Sequence, residues 1–339
     1  MATSPAGPHP SRSLSRRYHS RAVGFEPVSS VYKAGSVLFR GLPGPVADVV
    51  ARYGSRAVVW RSEERRLIAE RHLQRVHGPD LAGDELRAAV YATFESYARY
   101  WVESFRLPDR SRDELDASFG YEGYEHIQAA QSAGLGPICV MPHMGGWEWA
   151  AFWLTQVMDV RVTAVVEPLS PPELFEFFVE FRQALGMNIV PLGPHAGTQV
   201  VNAIRDGQLI CLLSDRDIGG GGIDVEFFGE RTTLPAGPVA VALRTGAPLL
   251  PCAVYFRDGG HHAVIRPPMD LSRRGRFRDD LARLTQDLAV ELEALIRPAP
   301  EQWHLQQPNW PSDYDALAAI GHPHVRPGTN PGSDGSSEA

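Results

Sequence analysis

The residues of this chain best suited to chemistry stand in one short stretch, Pro142-His143-Met144-Gly145-Gly146-Trp147-Glu148-Trp149. A histidine and a carboxylate are separated by four residues, two of them glycine. Histidine is the side chain best matched to general-base work near neutral pH. A neighbouring carboxylate can fix its tautomer and stabilise the imidazolium that forms. On a regular helix, positions five apart lie roughly 140° around the axis from one another and share no face. Gly145 and Gly146 remove that objection, because glycine permits a tight, irregular turn. His143 can then end a strand while Glu148 sits in the first turn of a helix and leans back toward it. The amides of Gly145 and Gly146 become candidate donors to a developing oxyanion.

The surrounding pattern supplies the elements that must hold this turn. An apolar run, Gly134 to Met141, leads in, and an amphipathic segment, Trp149 to Val157, leads out. Buried strands are expected at Ile138 to Met141, Arg161 to Val166, Asn188 to Pro191, Leu209 to Leu213 and Leu249 to Phe256. Helical stretches alternate with them at Pro172 to Leu185, Thr198 to Arg205 and Pro238 to Arg244. Such alternation predicts an α/β fold, a mostly parallel central sheet flanked by helices. Ala263 to Arg266 adds an expected edge strand. The first third reads as an N-terminal helical region: Val31 to Phe39, Pro45 to Tyr53, Glu63 to Val76, and a long helix marked by Leu86, Val90, Phe94, Tyr97, Trp101 and Phe105. Its first helices suit either lipid contact or packing on the core. Phe277, Leu281, Leu284, Leu288, Leu292 and Leu295 mark a late amphipathic helix. Residues 1–24 read as a disordered basic arm, 25–320 as a single α/β domain with its N-terminal helices, and 321–339 as a disordered tail.

In α/β sheets, ligands sit beyond the carboxyl ends of the strands. Three groups of polar residues fall there: His143, Glu167, and Asp215-Arg216-Asp217. The last reads equally as a polar turn whose charges pair with one another. Arg182 falls one turn after Phe178 and two after Phe175, so a guanidinium sits on an apolar helix face. It must find a partner there or reach solvent. Gly219 to Gly222 lacks the lysine and hydroxyl of a phosphate loop and reads as a flexible connection. His261-His262, after Asp258-Gly259-Gly260, reads as a surface turn, and His304 as structural.

Composition excludes several classes. A net charge of −7 disfavours nucleic acid as a partner. Cys139, Cys211 and Cys252 each lie inside an apolar run and read as reduced, buried thiols. No spacing of ligand residues implies a metal. No apolar run approaches the roughly 20 residues of a spanning helix. Lys33 is the only lysine, so phosphate recognition would fall to arginine.

The central stretch resembles the His-x-x-x-x-Asp signature of the glycerolipid acyltransferases, in the glutamate form of the lipid A late acyltransferases. Further segments resemble one branch, the phosphatidylinositol mannoside acyltransferases of actinobacteria. They are Ser214-Asp215-Arg216-Asp217, Val225 to Glu230, Leu234 to Pro238, Leu243 to Pro251, Ser96 to Trp101 with Phe105 to Pro108, and Trp303-His304 with Gln307-Pro308. The likeness runs in order from about Val28 to Trp310. Two positions depart from that branch, which has Asp at the place of Glu148 and Glu at the place of Asp215. The exchange of lengths suggests compensation within one site.

This resemblance implies transfer of an acyl chain from acyl-CoA, as co-substrate and without a cofactor, to a mannose hydroxyl of a phosphatidylinositol mannoside. It implies catalysis by His143 with Glu148 orienting it and Asp215 assisting. Glu167 and Arg182 would belong to the acceptor pocket, Arg216 would hold a phosphate or brace the carboxylates, and Asp217 would join substrate binding. Trp147, Trp149 and Trp153 read mostly as core, with Trp147 also suited to line an acyl channel, since an acyl chain needs an apolar groove. The enzyme would lie peripherally on the cytoplasmic face of the cell membrane, against inner-leaflet lipids. Another lipid acceptor, such as a lysophospholipid or a lipid-A-like glycolipid, is the second reading. A catalytically silent lipid-binding scaffold is the third.

Overall fold

The computed structural model describes residues 35–324. The expected basic arm, residues 1–24, and all but the first four residues of the expected tail lie outside the described residues.

The central strands of the sheet are short apolar runs buried on both faces, as parallel strands between helix layers must be, while its two edge strands are partly exposed. Seven strands take part: β1 (Phe119–Glu122), β2 (Ile138–Met141), β3 (Val162–Val166), β4 (Asn188–Pro191), β5 (Leu209–Leu213), β8 (Leu249–Arg257) and β9 (Gly260–Ile265). Their order is β1-β9-β8-β2-β5-β3-β4. Every pairing is parallel except β8 with β9. A separate antiparallel hairpin joins β6 (Ile223–Phe227) to β7 (Glu230–Leu234). Its turn uses Phe228 and Gly229, both at positive φ.

Side chains alternate across β2. Ile138 and Val140 join the core on one face, with Ile204, Val239, Leu288 and Leu292. Cys139 and Met141 join the core on the other, with Trp147, Trp153, Ile127 and Leu115. The first face carries the helices α8 (Ala196–Arg205), α9 (Gly237–Thr245) and α10 (Phe277–Ile296). The second carries α5 (Tyr124–Ser132) and α6 (Trp147–Gln156). The N-terminal helices are α1 (Gly44–Arg61), α2 (Glu63–His77) and α3 (Gly83–Arg106); α1 and α2 both lie along α3. Further helices are α4 (Arg112–Ala117), α7 (Pro172–Ala184) and α11 (Pro311–Ala319).

Two sequence expectations are corrected. The strand over Ala263 to Arg266 is not at the edge, since β9 pairs on both sides and β1 closes the sheet. β1 escaped notice because Phe-Gly-Tyr-Glu is only four residues and carries no apolar run. His261 and His262 are not a surface turn: Asp258-Gly259 makes the turn and both histidines belong to β9. His261 is buried and stacks on Trp149 with ring centroids 4.3 Å apart.

Candidate active site

Strand register brings the central pair together. β2 and β5 are parallel neighbours with Met141 beside Leu213. Two residues further on, each chain leaves the sheet, one carrying His143 and the other Asp215. His143 Nδ1 lies 2.6 Å from Asp215 Oδ1, and the His143 backbone N–H donates to Asp215 Oδ2 at 3.0 Å. Asp215 is fully buried, while the imidazole remains about a third exposed, at 34%. A carboxylate only accepts, so Nδ1 carries the proton; in the neutral imidazole this tautomer leaves the lone pair on Nε2, the form a general base requires. Burial pushes the Asp215 carboxyl upward. The charge and hydrogen bond of His143 and the Trp303 indole N–H outweigh it and hold the group below the ordinary carboxylate range.

The two glycines are needed for close approach. Gly145 has φ +53°, and a Cβ there would lie 1.8 Å from the Val254 carbonyl oxygen. A Cβ on Gly146 would meet the His261 ring at 2.6 Å. The turn is pinned from the other side by a short antiparallel bridge between Met144 and Trp303. In it the His304 N–H donates to the His143 carbonyl at 2.7 Å, and the Gly145 N–H donates to the Gln302 carbonyl at 3.0 Å. The Gly145 amide is therefore spent. Of the two glycine amides considered as oxyanion donors, only that of Gly146 is left as a candidate.

Glu148 turns away from the histidine. Its carboxylate is buried, and Oε1 accepts from the Tyr100 hydroxyl at 2.7 Å and from Arg182 Nη2 at 3.0 Å. Among the described residues no hydrogen bond joins Glu148 to His143, so the contact expected to orient the histidine is made by Asp215. The reason is geometric: Glu148 is the second residue of α6 and points between α3 and α7, whereas Asp215 arrives on the strand next to β2. Burial pushes the Glu148 carboxyl up, against the pull of Arg182 and Tyr100. The guanidinium of Arg182 is sandwiched, 5.1 Å from the Trp147 ring centroid and 5.6 Å from that of Phe178. That answers how a charge sits on an apolar helix face. Glu148 and Asp215 have separate partners, so their exchanged lengths are not compensation around one histidine.

The remaining expected residues divide. Glu167 leaves the end of β3 half-buried and makes no hydrogen bond or ion pair among the described residues; Arg216, beside Asp215, is in the same condition. Asp217 is occupied internally. It accepts the N–H groups of Gly219 and Gly220 at 3.2 Å and of Gly222 at 2.9 Å, and the Thr233 hydroxyl at 3.2 Å. It shapes the glycine loop.

No pattern in the chain marked Tyr100, Trp303 or Asn309 as site residues. Trp303 Nε1 donates to Asp215 Oδ2 at 2.7 Å, and Asn309 Nδ2 donates to the Asp215 carbonyl at 2.9 Å. The only signal was that Trp303 and Tyr100 fall in two of the family-like segments. His304 is buried, with Nε2 2.8 Å from the Ser96 hydroxyl. Behind the turn, an apolar cavity of about 50 Å³ is lined by Met141, Trp147, Trp153, Cys139, Cys211 and Cys252.

A buried carboxylate holds a partly exposed imidazole at the carboxyl ends of adjacent parallel strands, an arrangement that can serve as a general-base pair. The chain belongs to the bacterial lipid A biosynthesis acyltransferase family, whose model matches residues 20–312. It is 36% identical over 288 residues to a phosphatidylinositol mannoside acyltransferase of Mycolicibacterium smegmatis, covering 83% of this chain and 91% of that one. A protein of the same name from Mycobacterium tuberculosis is 35% identical over 291 residues, covering 83% and 88%. A lipid A biosynthesis acyltransferase of Haemophilus influenzae is 28% identical over 262 residues, covering 73% and 78%.

Proposed function

We propose that this acyltransferase moves a fatty acyl chain from acyl-CoA to a mannose hydroxyl of a phosphatidylinositol mannoside. The observation that carries the chemistry is the 2.6 Å contact between His143 Nδ1 and the buried Asp215. The names of the two mycobacterial relatives support the acceptor.

In this reading His143 Nε2 takes the proton of the acceptor hydroxyl as its oxygen attacks the thioester carbonyl carbon. Asp215 stabilises the imidazolium so formed. The tetrahedral intermediate collapses with loss of the thiolate, which recovers the proton from His143 and leaves as CoA. The acceptor is itself the nucleophile, so no acyl-enzyme forms. The Gly146 amide or a guanidinium meets the oxyanion. Arg182, fixed by Glu148 and Tyr100, and Arg216, half-buried beside the dyad, suit the anionic parts of the substrates. The cavity beside Trp147 and Met141 suits the start of an acyl chain.

The enzyme works peripherally on the cytoplasmic face of the membrane. No described helix is long and apolar enough to cross a bilayer. Helix α1 exposes Val46, Val49, Val50, Tyr53 and Trp60, the last 80% accessible. A stripe of this kind suits burial in the interfacial region of a bilayer.

The deciding experiment incubates the full chain with palmitoyl-CoA and a panel of lipid acceptors, measuring CoA release and product mass. Acylated mannolipid supports the reading. Acylation of a lysophospholipid or lipid-A-like glycolipid alone replaces the acceptor. No CoA release with any acceptor leaves a lipid-binding scaffold.

A further inference from the structure

The segment that closes over the dyad from behind comes from the far end of the chain. Trp303, buried at 3% exposure, directs its indole N–H at Asp215 Oδ2, 2.7 Å away. That oxygen also accepts the His143 backbone N–H at 3.0 Å. With Oδ2 held by two donors, Oδ1 is the oxygen turned to His143 Nδ1. The plane of the carboxylate is therefore set by one backbone amide and one indole. The indole is itself wedged. Its ring stacks on His72 with centroids 5.1 Å apart at 24°, and it lies against Phe227 and Phe228. His72 is fixed in turn by the Leu305 carbonyl at 3.0 Å and by Asp313 at 3.3 Å. Asn309 and the backbone of Gln302 and His304 tie the same segment to Asp215, Gly145 and His143.

On the reading that His143 and Asp215 form the catalytic dyad, we infer that Trp303 is a positioning residue for acyl transfer, orienting the Asp215 carboxylate toward His143 through its indole N–H. Packing alone has no use for that N–H. A phenyl ring in the same slot would fill most of the apolar space but would donate nothing to the buried carboxylate oxygen. A charge-assisted hydrogen bond of this kind is worth roughly 1.5–3 kcal/mol, a tenfold to hundredfold effect where it is expressed in the transition state.

The test is a double-mutant cycle of Trp303→Phe with Asp215→Ala, assayed for CoA release with the acceptor that the wild type uses. His143→Ala serves as the control for the dyad itself. Trp303→Phe should keep the wild-type KM for both substrates and lower kcat by about tenfold or more. In the Asp215→Ala background, where no carboxylate is left to orient, the same substitution should change kcat by less than about twofold. Equal losses in both backgrounds, or a raised KM with kcat unchanged, overturn the inference and leave Trp303 as packing. If His143→Ala retains activity, the dyad reading fails instead, whatever Trp303 does. Should Trp303→Phe not fold, a benzothienyl side chain installed at position 303 alone keeps the shape and removes only the N–H, and the same two outcomes apply.

Discussion

Arg182 and Glu148 meet at 3.0 Å across 34 positions of sequence, and that contact takes the motif carboxylate out of reach of the motif histidine. The two halves of the His-x-x-x-x-Glu pattern thus serve different partners: His143 works with Asp215, and Glu148 anchors a guanidinium. Perturbation of the two carboxylates should therefore have different signatures.

His143→Ala should abolish acyl transfer, with a loss on the order of 10² to 10⁴ in rate or more, since it removes the proposed general base. The side chain is a third exposed, so the variant should still fold, with some loss of stability from the unpaired Asp215. Activity within a few-fold of wild type in a folded variant would sink the assignment.

Asp215→Asn should lower kcat strongly, and Glu148→Gln should chiefly raise KM for the anionic substrate by loosening Arg182. Because the two carboxylates share no hydrogen-bond partner, their effects should combine as a product to within about twofold. The same holds for the length exchange Glu148→Asp with Asp215→Glu. A double exchange that recovers much of either single loss would revive compensation.

Burial, and then the charge of His143, hold His304 below its ordinary value of 6.5, at about 3. A histidine depressed in the folded state contributes stability that is present above pH 6.5 and is lost as pH falls from there toward 3. The wild type should accordingly lose more stability between pH 7 and pH 5 than His304→Gln, whose side chain does not titrate. Urea midpoints at the two pH values measure this. Equal losses would show that His304 does not couple folding to protons.

Asp313 is fully buried between Arg71 at 2.7 Å, Arg75 at 2.8 Å and His72 at 3.3 Å, and it also accepts the backbone N–H groups of Asn309 and Trp310. Asp313→Ala leaves those donors and cations without their acceptor. It should cost about 3–5 kcal/mol of stability, the usual price of breaking a buried ion network. Thermal melting checks it; a loss below about 1 kcal/mol would place the network among weakly contributing surface pairs.

Membrane attachment should have two separable parts. Tyr53→Ser with Trp60→Ser removes exposed apolar surface from α1 and should weaken vesicle flotation equally at low and high salt. Deletion of residues 1–24 removes arginines worth about 1 kcal/mol each near an anionic surface, and should weaken flotation at low salt only. Flotation of both variants like wild type would refute attachment through this end.

Much of the frame is legible in local apolar patterns. The strands Ile138–Met141 and Leu209–Leu213 stand where their apolar runs lie, because a strand buried on both faces must be apolar throughout, and Asn188–Pro191 keeps its expected bounds at the sheet edge. The same runs located His143 and Asp215 just past strand ends, and Gly145-Gly146 announced the turn between strand and helix. What no local pattern contains is which strand lies beside which. The pairing of β2 with β5 selected Asp215, 72 positions away, over Glu148, five positions away, as the partner of His143. The same limit hid β1, whose four residues form a strand only because β9 offers an edge. Trp303 reaches Asp215 across 88 positions. Its place there is decided by the packing of a terminal segment onto a finished sheet, where hydrogen-bond direction and burial, not sequence distance, select the partner.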